Sequence, residues 1–511
     1  MRVVFALFDT LNRRSLGCYG GTTIKTPNFD RLARHSLVFD NHYVGSLPCI
    51  PARREMMTGR YNFLHRSWGP LEPFDHAWPE LLGEQQGTYC HLVTDHAHYW
   101  EDGGATYHTR YDSAEFIRGQ EGDAWKGIVE PDEDTWLKRF HRSQVNASRR
   151  HAQRRNLVNR EFIQSAYDYP AAQTFSAGLD FIERNWRSDN WCLQIETFDP
   201  HEPFDAPEQW RANHPTSYRG PTLDWPQYGP VTETPEEVEE LRANYAATLA
   251  HCDFQLGRLL DTFDRLDLWR DTALIVSTDH GFLLGEKELW GKIIMPVYNE
   301  VAHIPLFVWH PTYADQAGQR RAALTQTIDL APTILDMFGV TSPPEVQGLS
   351  LLPLLQDPHV RPRDAALYGM HGCAVNITDG RYTYFHYPPQ MPGTDLYNYT
   401  LMPTHMDSRF SIAELSGAEL ANPFSFTRGL RTLKVPCDEK SPIHFFTLPE
   451  VQIDCQSRLY DLQNDPLQQR AIESPRIVKR LKERIVELMQ LTDAPAESYL
   501  RFALEPAKRN E

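Results

Sequence analysis

The segment Cys49-Ile50-Pro51-Ala52-Arg53, followed by Thr58-Gly59-Arg60, sets a thiol, a helix-start residue and a cation within little more than one helical turn. Proline suits the first turn of a helix, where its missing N–H is no loss, so Cys49 is expected at a helix N-terminus. Free backbone N–H groups and the helix dipole favour negative charge there. Arg53, one turn further on, can fold back to the same point. An oxygen nucleophile at position 49 would therefore be held as its anion. A lone cysteine before a helix is more often a buried, inert one. The complete Cys-x-Pro-x-Arg pattern with its trailing Thr-Gly-Arg outweighs that reading.

A second set of polar residues follows short apolar runs. Val3 to Phe8 ends at Asp9, and the run Cys90 to Val93 ends at Thr94, Asp95 and His96. Trp191 to Ile195 leads to Asp199 and His201, and Ala273 to Val276 ends at Ser277, Thr278, Asp279 and His280. Runs this short, flanked by helical patterns, read as buried parallel strands. In open α/β sheets ligands bind beyond the carboxyl ends of the strands, so these residues are expected to converge. Asp9, Asp279 and His280 can then face Cys49, and carboxylates so placed suit a hard divalent cation. An Asp at a strand end is commonly a turn residue, so Asp9 alone says little. Asp279-His280-Gly281, followed by Leu284-Gly285-Glu286 and Gly291-Lys292, is more specific. His96 and His98 alternate, and on an extended strand they would share a face. One of them is expected to reach the site, with His98 preferred. A zinc pair is the alternative for them, but no third ligand stands nearby in the sequence.

The elements that position these residues alternate strand and helix, which defines an α/β protein with a large, mixed, mostly parallel sheet sandwiched by helices. Thr26-Pro27 starts one helix, with Phe29, Leu32 and Ala33 as its apolar stripe. A longer helix over about 235–266 carries Leu241, Tyr245, Thr248, Cys252, Leu256 and Leu259 at three- and four-residue steps. Others are expected over 327–338 and, amphipathic, over 474–491. Residues 100–170 are rich in Arg, Asp, Glu and Gln and read as an insertion over the active face. Residues 386–450, rich in Pro, Thr and Ser, read as a second excursion. The organisation expected is a catalytic α/β domain over 1–365 and a smaller C-terminal α+β subdomain over 366–511, with a small sheet and a terminal helix.

With 511 residues, of which 41% are hydrophobic and 23% charged, the chain can bury a large core. A formal net charge of -17 argues against nonspecific nucleic-acid binding, and any anion site must be local. The eight cysteines are scattered without a CxxC pair, which suits a reduced compartment. The apolar run at the N-terminus is too short for a signal h-region and no small-residue cleavage site follows it. No stretch is long and apolar enough to span a bilayer. A cytoplasmic location and no membrane partner are expected.

The Cys-x-Pro-x-Arg segment with Thr58-Gly59-Arg60 resembles the sulfatase family of the alkaline phosphatase-like superfamily, which includes the related phosphonate monoester hydrolases. Thr26-Pro27-Asn28-Phe29-Asp30-Arg31-Leu32 is similar to that family's helix start. Asp329-Leu330-Ala331-Pro332-Thr333 and Gly348-Leu349-Ser350-Leu351-Leu352-Pro353-Leu354 look like its later structural motifs. Leu459-Tyr460-Asp461-Leu462 with Asp465-Pro466 resembles the segment that closes its C-terminal subdomain. The resemblance covers about residues 1–110, 190–385 and 455–475 and fails in the two insertions. It implies that Cys49 is oxidised by a formylglycine-generating enzyme to formylglycine, whose hydrate is the nucleophile. It further implies that Asp9, residue 49, Asp279 and His280 bind one divalent metal, that Lys292 grips the sulfate oxygens and with Arg53 stabilises the charge that builds in the transition state, and that His201, in Asp199-Pro200-His201-Glu202-Pro203-Phe204, contacts the ester oxygen and can serve as general acid. His96 and His98 stand where the family usually shows Gly-Lys-Trp-His, so one sulfate ligand, a lysine, is missing or replaced. The chain departs from the pattern also at Ala52, where Ser is usual, at Thr10, where a second Asp is often found, and at His280, where Asn is often found. The last two soften the metal site, and Ca2+ is expected, with Mn2+ next.

The expected reaction is hydrolysis of a sulfate ester, an aryl sulfate or a sulfated sugar, by the formylglycine diol. A phosphonate monoester hydrolase or phosphodiesterase on the same scaffold is the alternative, and a non-catalytic anion-binding protein the remote one. A homo-oligomer is left open, since the C-terminal helix and tail can reach a neighbour.

Overall fold

A computed structural model describes residues 1–145, 150–389, 391, 395–438 and 452–506. A nine-stranded sheet forms its centre. Four parallel strands lie side by side in it, in the order Thr272–Thr278, Arg2–Phe8, Trp191–Thr197 and Tyr89–Thr94. Ser113–Phe116 adds a parallel edge strand to Tyr89–Thr94. On the other flank Leu306–Trp309 pairs antiparallel with Thr272–Thr278 and with Leu37–Tyr43, which makes the sheet mixed.

The apolar runs read from the sequence are these strands, and their two-residue alternation divides the core. Val3, Phe5 and Leu7 face one layer, with Ile50 and Ala52 of helix Cys49–Thr58, Leu81 and Leu82 of Trp78–Gln86, and Ile334 of Leu330–Met337. Val4, Ala6 and Phe8 face the other, with Phe29 and Leu32 of Pro27–His35, Phe175 and Ile182 of Pro170–Asn185, and the stripe from Leu241 to Phe263 of Pro235–Arg265. Helices thus cover both faces, as a parallel sheet requires. Thr234 and Glu237 form a capping box at the start of Pro235–Arg265. The helix expected over 327–338 begins instead as a 3-10 turn, Thr327–Asp329, before its α-helical part.

A five-stranded sheet follows, in the order Arg458–Asp461, Tyr382–His386, Val375–Thr378, Ala366–Met370 and Ser46–Leu47. Helix Pro475–Leu491 packs Leu481, Ile485 and Met489 against Val375, Ile377 and Leu459. The last strand of that sheet comes from the N-terminal part of the chain. Ser46–Leu47 runs parallel to Ala366–Met370 and leads, through Pro48, into Cys49. Part of the excursion expected over 386–450 lies outside the described residues, as do 146–149 of the earlier insertion. Among those described, Tyr397–Thr400, Leu433–Pro436 and Glu419–Leu420 form a small antiparallel sheet. No helix among the described residues is long and apolar enough to cross a membrane.

Candidate active site

Strand register brings the first residues together. Phe8 is paired with Thr278 on one side and Thr197 on the other, so the chain leaves three neighbouring strands at one level. Asp9 follows the first strand and Asp279 and His280 the second. Gly281 comes next because an added Cβ would lie 2.0 Å from the Glu300 carbonyl oxygen. From the other face, helix Cys49–Thr58 points its N-terminus at the same spot, with Cys49 its first residue. Gly59, at φ 66°, ends that helix and accounts for the glycine of Thr58-Gly59-Arg60.

Asp9, Cys49, Asp279 and His280 are all buried and can each present one ligand atom within 4.8 Å of every other. The Cys49 thiol lies 3.2 Å from His280 Nε2 and 3.9 Å from Asp9 Oδ1. Two carboxylates, an imidazole and the side chain at position 49 make a donor set that fits a divalent cation. Arg53 folds back as its spacing implies. Its NH1 donates to Asp279 Oδ2 at 2.6 Å and to the Cys49 carbonyl at 3.1 Å, and its NH2 donates to Asp9 Oδ2 at 2.8 Å.

Burial pushes the Asp9 carboxyl up, but Arg53 and Lys292 beside it outweigh that and hold it well below the usual carboxylate range. Burial and the nearby Asp9 push the Cys49 thiol well up, so an unmodified thiol here is a poor source of thiolate. Burial lowers Lys292 less than Cys49, Glu202 and Asp9 raise it, and the ammonium is held charged. Its Nζ donates to Thr10 Oγ1 at 3.2 Å and lies 3.9 Å from Asp9 Oδ1 and from Glu202 Oε2. His201 follows strand Trp191–Thr197 and packs on Phe198 with ring centroids 3.9 Å apart. Its Nδ1 is hydrogen-bonded to the Glu202 carbonyl, which leaves Nε2 for other partners. Burial lowers its pKa.

The two alternating histidines do not lie on an extended strand, and their ring centroids are 5.1 Å apart. The strand ends at Thr94, and Ala97–Trp100 is a 3-10 turn. His96 is fully buried with Nε2 3.5 Å from Asp9 Oδ2, whereas His98 turns away to Glu101, 2.7 Å from Nδ1, and stands edge-on to Trp68. His96 and not the preferred His98 therefore abuts Asp9. The 3-10 turn that begins directly after His96 carries His98 toward Glu101 instead. Neither ring nitrogen of His96 has a hydrogen-bond partner among the described residues.

Sequence reasoning missed two carboxylates. Glu196 accepts from Arg53 Nε at 2.6 Å, and Glu202 faces Lys292 and accepts from the Tyr228 hydroxyl. A signal for Glu196 was present: a strand buried along its whole length, Trp191–Thr197, carries Gln194 and Glu196 at alternate positions. Glu202 is the residue directly after His201.

This architecture and this pocket define a hydrolase of the alkaline phosphatase-like fold. The family model for sulfatase matches residues 2–340, and the chain belongs to the sulfatase family, as a sulfuric ester hydrolase. A second model, N-sulphoglucosamine sulphohydrolase, C-terminal, matches residues 285–416. The chain is 27% identical over 385 residues to the multifunctional alkaline phosphatase superfamily protein PehA of Trinickia caryophylli, covering 65% of this chain and 72% of that one. It is 25% identical over 411 residues to an N-acetylglucosamine-6-O-sulfatase of Bacteroides thetaiotaomicron, covering 71% and 72%. The phosphonate monoester hydrolase of Agrobacterium radiobacter shares the fold, with a TM-score of 0.65 at 19% identity over 96% of this chain and 95% of that one.

Proposed function

We propose that this sulfatase removes sulfate from a sulfated sugar, using a formylglycine made from Cys49 beside a divalent cation held by Asp9, residue 49, Asp279 and His280. The observation that carries the reading is the buried meeting of those four residues at one helix N-terminus and two adjacent strand ends. Sugar is favoured over a simple aryl group by the relative that acts as an N-acetylglucosamine-6-O-sulfatase. Ca2+ is the first expectation for the cation and Mn2+ the second, since an imidazole joins the carboxylates. When bound, it lowers the pKa of the attacking hydroxyl and neutralises sulfate oxygens.

The chain's own groups supply the rest. Arg53 and the N-terminus of helix Cys49–Thr58 concentrate positive charge at residue 49, where negative charge builds in the transition state. Lys292 is the cation placed to receive a sulfate oxygen, and His96, buried against Asp9, lines the same wall. His201, with Nδ1 held by the Glu202 carbonyl, directs Nε2 to the leaving alcohol and, as the imidazolium, gives it the Nε2 proton, which leaves the neutral ring with its proton on Nδ1. Two hydroxyls on the hydrated side chain at position 49 allow one to attack sulfur and the other to release the product.

A second reading is supported by a specific observation. Thr10 stands where the resemblance to the family leads one to expect a second carboxylate, and relatives include PehA and, by fold, a phosphonate monoester hydrolase. Protein co-expressed with a formylglycine-generating enzyme should show the aldehyde mass in the Cys49 peptide. It should hydrolyse N-acetylglucosamine 6-sulfate faster than an aryl phosphonate monoester. Unmodified thiol in active protein would overturn the mechanism, and the reverse substrate order would transfer the assignment to phosphonates.

A further inference from the structure

Arg53 is shared by three carboxylates, and two of them belong to the candidate metal group. Its NH1 and NH2 donate to Asp279 Oδ2 and Asp9 Oδ2, while Nε donates to Glu196 Oε1 at 2.6 Å. Arg53, Asp9, Asp279 and Glu196 are all buried. A divalent cation drawn to Asp9 and Asp279 competes with the guanidinium for the same oxygens and repels it through a low-dielectric interior. The bond from Nε to Glu196 stands outside that competition.

Glu196 is fixed on its far side. Its Oε2 accepts from Gln194 Nε2 at 2.9 Å and from the Tyr99 hydroxyl at 3.2 Å, and Gln194 Oε1 in turn accepts from the Tyr111 hydroxyl at 2.6 Å. One carboxylate oxygen is thus committed to the guanidinium and the other to two donors that set its rotamer. A planar guanidinium held at Nε keeps the direction of its two amino groups. A carboxylate in a strand buried along its whole length is costly unless it is paired, and the cation that pairs this one lies in the candidate active site.

We propose that Glu196 is a positioning residue: it holds Arg53 against residue 49 while Asp9 and Asp279 are given over to the cation. The inference rests on the reading that Asp9 and Asp279 bind that cation. In the absence of the Glu196 charge, the guanidinium closes on Asp9 and Asp279, displaces metal, and loses its aim when metal is present.

The test uses the full-length matured protein and its Glu196→Gln and Glu196→Asp variants. Mn2+ binding is followed by calorimetry and by the electron paramagnetic resonance of the bound ion, and turnover with 4-nitrophenyl sulfate. Glu196→Gln keeps the shape and removes the charge; Mn2+ should bind about tenfold more weakly, and kcat should fall about 100-fold while KM changes less than about threefold. Glu196→Asp keeps the charge but falls short of Nε, so it should recover Mn2+ affinity and not kcat. Two variants that melt at lower temperature yet, while folded, bind Mn2+ and turn over as wild type does would show a merely structural ion pair and overturn the proposal. A wild-type protein that binds no divalent cation would instead sink the metal reading itself, and this inference with it.

Discussion

Thr10 donates its hydroxyl to Asp9 Oδ1 at 2.6 Å, and its backbone N–H donates to Asp279 Oδ1 at 3.0 Å. A neutral residue therefore braces both candidate ligands from a position where the sequence resemblance leads one to expect a second aspartate. Thr10 sits at φ 63°, a region that strains a β-branched residue and that aspartate tolerates better. Thr10→Asp should accordingly fold, and the added charge should tighten Ca2+ binding by about tenfold in calorimetric titration. Unchanged or weaker Ca2+ binding would show that the hydroxyl is not standing in for a ligand.

Replacement of Cys49 separates the two hydroxyls. Cys49→Ser supplies one attacking oxygen and no second hydroxyl to release the product, so a covalent sulfated protein should accumulate after one turnover. Intact-protein mass spectrometry after incubation with substrate reads it directly. Cys49→Ala should show neither adduct nor turnover, and turnover surviving in that variant would refute the assignment.

Arg53→Ala leaves Asp9, Glu196 and Asp279 buried without the charge they share. Breaking such an assembly from one side should cost about 3–5 kcal/mol in denaturant unfolding of metal-free protein. Added divalent cation should recover part of that loss, because it supplies positive charge to two of the three carboxylates. A stability loss that metal leaves untouched would argue against a common site.

The two histidines should behave differently. His96→Ala removes an imbedded ring beside Asp9, whereas His98→Ala removes one already paired with Glu101. The kcat/KM should fall by about 100-fold in the first and by less than about fivefold in the second. The opposite order would place His98 against substrate after all.

Glu55, on helix Cys49–Thr58, accepts from the backbone N–H groups of Gly45 at 2.8 Å and Ser46 at 2.6 Å. Burial nevertheless pushes its pKa up from 4.5 to about 7. The folded chain then holds a proton that the unfolded chain releases, so the associated stability is present below the unfolded pKa and is lost as pH rises through about 7. Between pH 4.5 and about 8, wild type should lose up to roughly 3 kcal/mol relative to Glu55→Gln in urea unfolding. Parallel profiles for the two proteins would contradict the shift.

The meeting of strand ends was legible because it follows from local patterns. Apolar runs that stop shortly before Asp9, Asp279 and His201 announce a parallel sheet, and such a sheet gathers its strand ends. The bend at residues 94–100 was not legible, because two alternating histidines look the same before a turn as along a strand. Glu196 was hidden for another reason. Its partner lies 143 positions away on helix Cys49–Thr58, and only the tertiary fold brings the two together. The C-terminal sheet was expected, but not its recruitment of Ser46–Leu47, since a two-residue strand leaves no periodicity to read.

That recruitment bears on timing. Cys49 is only 2% exposed, and the residues just ahead of it are sewn into a sheet completed by segments more than 300 positions downstream. Under the proposed chemistry, an oxidising enzyme must reach this thiol on a nascent or still-open chain. On that reading, docking of residues 366–370 closes the thiol to such an enzyme, and protein made without it should not be rescued by adding it later.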